Sequence, residues 1–197
     1  MKTRLQLAGL LATTLAFGPA FAGDLFLDKD TVVADEGRIG DRWMLADGAT
    51  LATPVYPAHL AGRGDDVCVA IGYRILPDGT TSEFAVLKQW SSAGDGQPDD
   101  YWRPFAEAGA EALAQWRFQE RPGVTARPTY TVATMVFSGT AGNDAGARDQ
   151  CRIGDLAAVM QQRTSESYLG SRDRHSLDRA MQSVRTRAAM NENPGRR

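Results

Sequence analysis

The stretch from Val67 to Thr80 constrains this chain most. Val69, Ile71, Tyr73 and Ile75 alternate with Cys68, Ala70, Gly72 and Arg74, and a period of two puts the four large residues on one face of an extended strand. Pro77-Asp78-Gly79-Thr80 then turns the chain, and Phe84-Ala85-Val86-Leu87 returns as a second apolar arm. A lone hairpin with one apolar face is barely stable in water, so it needs a covering layer. The next segment supplies one. Asp99 or Asp100 is placed to cap a helix with Pro104 in its first turn, and Phe105, Ala108, Ala112 and Trp116 recur at spacings of three and four, giving an apolar stripe. Ala106, Gly109 and Ala110 are small enough to let that helix lie close to a sheet. Tyr130 to Phe137 reads as a third strand on β-propensity. The order strand, strand, helix, strand predicts an α+β domain: a small three-stranded antiparallel sheet with a helix packed on one face.

The flanks read differently. Lys2 and Arg4 precede an uncharged run from Leu5 to Phe17, and Gly18-Pro19 leads to Ala20-Phe21-Ala22. A basic start, an apolar middle and an A-x-A site are the layout of a cleaved secretory signal; the alternative is an uncleaved anchor, since Leu5–Ala22 reaches the roughly 18 apolar residues that can span a bilayer. The expected organisation is a signal peptide over 1–22, an N-terminal segment with short strands over 23–52, the core domain over 53–138, a Gly-rich linker over 139–150, and a helical basic tail over 151–197. Within that tail, Ile153–Gln162 and Ser176–Met190 carry helical patterns, and Asn191–Arg197 is expected to be disordered.

Charge weighs against one class of partner. The stretch 23–150 holds 11 basic and 19 acidic residues, whereas 151–197 holds 9 basic and 5 acidic. An acidic body argues against nucleic acid as the main partner. The basic tail can make weak contact with anionic envelope components, or stay solvated.

Cys68 and Cys151 are the only cysteines. In an exported chain they have one intramolecular pairing, and disulfides persist in an oxidising compartment. A Cys68–Cys151 bridge would pin the tail to the body and contribute roughly 4 kcal/mol by loop closure; the alternative is a buried free Cys68 and an exposed Cys151.

Enzyme chemistry finds little support. His59 and His175 are the only histidines, and HExxH, CxxC, GxSxG and P-loop patterns are absent. His175 lies near Asp173 and Asp178 in a polar tail and reads as solvated, while Asp65-Asp66 and Asp99-Asp100 suit turn and cap roles better than metal binding. No catalytic residue, metal or cofactor is expected.

Four pieces, in order and at near-correct spacing, carry a family resemblance. They are Tyr56-Pro57 followed by Gly64; Tyr73-Arg74-Ile75-Leu76-Pro77-Asp78-Gly79; the helix from Ala108 that ends Trp116-Arg117-Phe118, with Trp116 lying 37 residues beyond Gly79; and the strand Tyr130–Phe137. Together they resemble the C-terminal domain of the TonB energy-transducer family. The resemblance implies a periplasmic domain that takes a short peptide of an outer-membrane transporter as an added strand beside its last strand, near the stretch before Tyr-Pro. Carried onto this chain, the partner-binding residues are Thr53, Val55, Tyr56 and Pro57 with Tyr130, Val132, Thr134 and Val136. Three departures separate this chain from a force-transducing member. Its N-terminal apolar segment looks cleavable and lacks His, residues 23–53 hold no proline-rich spacer, and the chain continues from Gly139 to Arg197. Val67 also stands where a glycine is usual. The expected function is therefore a periplasmic binding or adaptor domain that captures a peptide strand of an outer-membrane transporter or another envelope protein. The alternatives are an inner-membrane-anchored transducer facing the periplasm, and a structural envelope protein that forms a homodimer through its edge strand.

Overall fold

A computed structural model describes residues 30–140 and 142–163. The signal sequence expected over 1–22, the helix expected over Ser176–Met190 and the disorder expected at Asn191–Arg197 lie outside them. The elements are β1 (Val32–Val33), β2 (Trp43–Leu45), β3 (Val67–Ile75), β4 (Thr81–Ser91), α1 (Asp99–Ala114), β5 (Phe118–Glu120), β6 (Thr129–Phe137) and α2 (Asp144–Cys151), and residues 156–163 are helical again. Among the described residues, no helix is long and apolar enough to cross a membrane.

The chain is α+β, with one correction to the expected sheet. It has four strands in the order β1-β6-β3-β4 and is mixed, because β1 runs parallel to β6. Short strands are expected within 23–52, but a two-residue strand is too short to show a period, so the pattern does not tell that β1 joins the sheet beside β6. The three long strands are antiparallel as expected. β3 pairs with β6 without a break from Val67↔Phe137 to Ile75↔Thr129, and with β4 through two irregularities, at Ala70/Ile71 and Gly72/Arg74. Glu83, opposite the second, has φ 53°, the left-handed backbone that a bulge imposes. β2 and β5 form a separate antiparallel pair.

Apolar cores cover both faces of the sheet. On one face Val69, Ile71, Tyr73 and Ile75 pack under α1 with Phe105, Leu113 and Phe137. Gly109 is the point of closest approach, since a Cβ there would lie 2.6 Å from Ile71 Cδ1 and 3.2 Å from Met135 Cγ. On the other face Cys68, Ala70, Leu87, Tyr130 and Val132 pack against Ala147, Cys151, Leu156 and Met160. The expectation of a helix on one face is therefore incomplete, and the Gly-rich stretch expected as a linker over 139–150 is helical from Asp144. Asn143 caps that helix by accepting from the Gly146 amide at 3.2 Å. The Cys68–Cys151 disulfide is formed, with Cα atoms 6.0 Å apart and both residues fully buried, and it ties β3 to α2 inside the second core.

The helix start also differs in detail. Pro98 is the first capping residue of α1 and no side chain bonds the free amides; Asp99 and Asp100 lie in the first turn instead, where carboxylates oppose the positive end of the helix dipole.

Two sequence-distant pieces of the family resemblance meet. Asp78 Oδ1 accepts from the Thr80 amide at 2.9 Å and its hydroxyl at 2.6 Å, closing the hairpin. Gly79, at φ 79°, accepts from the Phe118 amide at 2.9 Å, and a Cβ at Gly79 would collide with the Phe118 carbonyl. The Asp-Gly turn is thus docked on the residue that ends the Trp-Arg-Phe piece.

Candidate functional site

The expected binding residues fall in two places. Thr53, Val55, Tyr56 and Pro57 lie in an extended segment that approaches the domain. Pro54 and Pro57 fix part of its backbone and push Thr53 and Tyr56 away from helix. Exposure alternates along it: Leu51, Thr53 and Val55 are exposed, while Ala52, Pro54 and Tyr56 are half-buried. Tyr56 anchors the segment. Its ring packs edge-on against Phe105 and Phe137 at 5.3 and 6.3 Å, and its hydroxyl donates to the Asp65 carbonyl at 3.0 Å. Burial, with the nearby Asp65 charge, raises the Tyr56 phenol above its ordinary value. Trp116 Nε1 donates to the Ala52 carbonyl at 2.8 Å, so the Trp-Arg-Phe piece holds this segment too.

The outward parity of that segment is unpaired. Within the described residues Leu51, Thr53 and Val55 make no hydrogen bond through backbone or side chain. Both prolines fall outside this set, so all three of its residues keep an N–H and a C=O. Val55 is 78% exposed and Leu51 51%, which makes them the two most exposed large apolar residues described. An extended backbone with free groups and an apolar outward row can accept another strand.

The second place is β6, and its edge is occupied. The Val32 amide donates to the Pro128 carbonyl at 2.8 Å and the Ala34 amide to the Tyr130 carbonyl at 2.9 Å. Further along, Glu36 takes over from the backbone: Oε1 accepts from the Thr134 amide at 2.7 Å and Oε2 from the Thr134 hydroxyl at 2.9 Å. Arg148 Nη1 donates to the Thr134 carbonyl at 3.2 Å. The side chains of Tyr130, Val132 and Thr134 are buried and that of Val136 half-buried. Tyr130 and Val132 belong to the second core rather than to a surface, and burial pushes the Tyr130 phenol up. The structure therefore separates the expected site into an open segment at Thr53 and Val55 and a strand whose edge is covered at Tyr130 and Thr134. Glu36 and Arg148 were missed by sequence reasoning. No motif marks Glu36, and Arg148 sat in a presumed linker.

The densest polar cluster is structural. Tyr101 Oη lies 2.6 Å from Ser91 Oγ and donates to Asp65 Oδ2 at 3.0 Å. Arg63 Nε pairs with the same Asp65 oxygen at 2.7 Å while its guanidinium sits over the Tyr101 ring at 4.7 Å. Burial pushes the Tyr101 phenol up to about 12. Asp66 accepts from the Gly139 amide at 2.6 Å and the Asn143 amide at 3.4 Å, so the Asp65-Asp66 pair joins the end of the sheet to the start of α2. Among the described residues, no group of three His, Cys, Asp or Glu is placed to hold a metal ion. His59 is exposed on a short turn, and His175, Asp173 and Asp178 lie outside the described residues.

No family model matches this chain, and no curated protein matches it. Several solved structures are similar over part of it, two of them as follows. The solution structure of the Pseudomonas aeruginosa TonB C-terminal domain is 23% identical, covers 50% of this chain and 87% of its own, and superposes with a TM-score of 0.38. The solution structure of the Helicobacter pylori TonB C-terminal domain is 19% identical, covers 43% and 68%, and has a TM-score of 0.30.

Proposed function

We propose that this chain is a periplasmic domain of the TonB C-terminal type that acts as a binding or adaptor module, capturing an extended peptide of an outer-membrane transporter or another envelope protein by strand addition. The observation that carries the reading is the approach segment: Leu51, Thr53 and Val55 present unpaired backbone, and Leu51 and Val55 exposed apolar side chains, on an extended stretch fixed at both ends by Trp116 and Tyr56. A pre-extended acceptor loses little chain entropy on pairing, which favours capture of a flexible peptide. The buried disulfide is compatible with an oxidising compartment.

The test is a titration of the isotope-labelled protein, starting at Gly23, with peptides from the periplasmic ends of outer-membrane transporters. Amide shifts of Leu51, Thr53 and Val55 should move together and saturate, and Val55→Pro should abolish the effect by removing one donor. If no such peptide moves these three amides at millimolar concentration, the reading is wrong.

A further inference from the structure

We infer that the C-terminal extension, residues 144–163, is a clamp that holds the N-terminal segment 32–36 onto the edge of β6, so that the edge cannot open until the clamp lets go. Two consecutive carboxylates make the connection. Asp35 faces the extension: its Oδ1 accepts from the amide of Leu156, the first residue of the helical stretch 156–163, at 2.9 Å. Glu36 faces the strand and takes both the amide and the hydroxyl of Thr134. Arg148 on α2 closes the ring. It reaches the Thr134 carbonyl at 3.2 Å and Glu36 Oε1 at 3.8 Å, so one guanidinium holds the strand and the residue that covers it. The clamp is anchored, because Cys151 on the same helix is bonded to Cys68 on β3 and Leu156 is fully buried against the sheet.

The covering itself is thin. β1 has two residues, and a pairing that short does not persist without support. Beyond Ala34 a side chain replaces the strand, and a carboxylate has no second backbone group to offer the edge. Support must come from elsewhere: before β1, Arg127 Nε donates to the Asp30 carbonyl at 3.2 Å, and beyond β1 the extension supplies it through Asp35 and Arg148. The biological meaning of the clamp, a guard on the edge that a peptide would extend, rests on the reading proposed above; the contact does not.

Amide hydrogen exchange of the full mature chain tests the clamp without any ligand. The Thr134 amide points out of the sheet to Glu36, whereas alternation turns the neighbouring Met135 amide in toward Val69 on β3. Met135 therefore reports global opening and Thr134 reports the edge. Arg148→Ala and Asp35→Ala touch neither amide. Each is expected to speed Thr134 exchange at least tenfold while Met135 stays within about twofold of the unaltered protein. Three results overturn the clamp. Thr134 could keep its rate in both variants. Thr134 and Met135 could speed up equally, so that only global stability had changed. Or Glu36→Ala alone could act, leaving a local contact uncoupled to the extension. Peptide capture at Thr53 and Val55 can fail with the clamp intact, and the clamp can fail with capture intact.

Discussion

Reducing the Cys68–Cys151 disulfide should be the most costly single chemical change this domain can suffer. The bond closes a loop with a sequence separation of 83 residues. In the chain-entropy description, such a closure removes freedom from the unfolded chain worth about 4.6 kcal/mol at 25 °C. The two sulfurs are fully buried between β3 and α2, so the bridge is reduced in the unfolded chain before refolding, and the two thiols, which cannot approach as closely as bonded sulfurs, add a packing cost to the lost loop closure. Urea unfolding of oxidised and reduced protein is the assay. With a slope of about 1.5–2 kcal/mol per molar, usual for a chain of this size, the midpoint should fall by about 2–3 M. The unfolded oxidised chain should also be more compact, lowering its slope relative to the reduced chain. Equal midpoints would refute the loop-entropy reasoning. So would a reduced protein in which only the extension melts while exchange protection across β3 and β6 is unchanged, because the bridge would then stabilise its neighbourhood and not the whole fold.

Three further outcomes follow from single contacts. Gly79→Ala combines a left-handed backbone, φ 79°, with a collision against the Phe118 carbonyl and the loss of the bond from the Phe118 amide; it should cost about 2–3 kcal/mol in urea unfolding, and a loss under 0.5 kcal/mol contradicts the docking of turn on strand. Tyr130 Oη is buried without a hydrogen-bond partner among the described residues, so Tyr130→Phe should leave stability unchanged or raise it by about 1 kcal/mol, and a clear loss would reveal a partner. Tyr101 is raised by burial to about 12. The folded state then holds its proton more tightly than the unfolded one, so the stability it contributes is fully present below pH 10 and is lost as pH rises from about 10 to 12; the midpoint of alkaline unfolding should move to higher pH in Tyr101→Phe, which has no phenol to ionise.

Much of the fold was legible because it is periodic. The large residues of β3 alternate, the apolar stripe of α1 recurs every three or four, and both face one core. The other face was not legible, and the reason lies in the same strand. Cys68, Ala70 and Gly72 are small, and small residues in alternation resemble a weakly patterned outer face. They are small because something packs there. Tyr130 crosses the position of Gly72, where a Cβ would collide with its hydroxyl oxygen, and α2 lies over Cys68. Size, unlike polarity, carries no sign of inside or outside. The candidate site was half legible for a related reason. Tyr56 and its prolines write their conformation locally, whereas the bonds from Thr134 to Glu36 span 98 residues and depend on a carboxylate in a segment without any pattern.

The outer sides of β4 and of β6, which beyond the two residues of β1 has no strand beside it, are protected by different means, and the difference bears on which could ever be used. The outer edge of β4 is spoiled from within. Two register shifts and the left-handed Glu83 break its row of donors and acceptors, and Arg163 donates to the Leu87 carbonyl at 2.9 Å. Irregularity of this kind is built into the strand and needs no covering segment. The edge of β6 has no such defect. Its pairing with β3 is continuous over nine residues, so its outer row is regular and would accept a neighbour along its length. What stops it is coverage by residues 32–36 and Arg148, and coverage is reversible. A chain that needed only to avoid aggregation could have bulged both edges. Keeping β6 straight and capping it with a two-residue strand, one carboxylate and one arginine leaves a regular edge beneath a noncovalent cover.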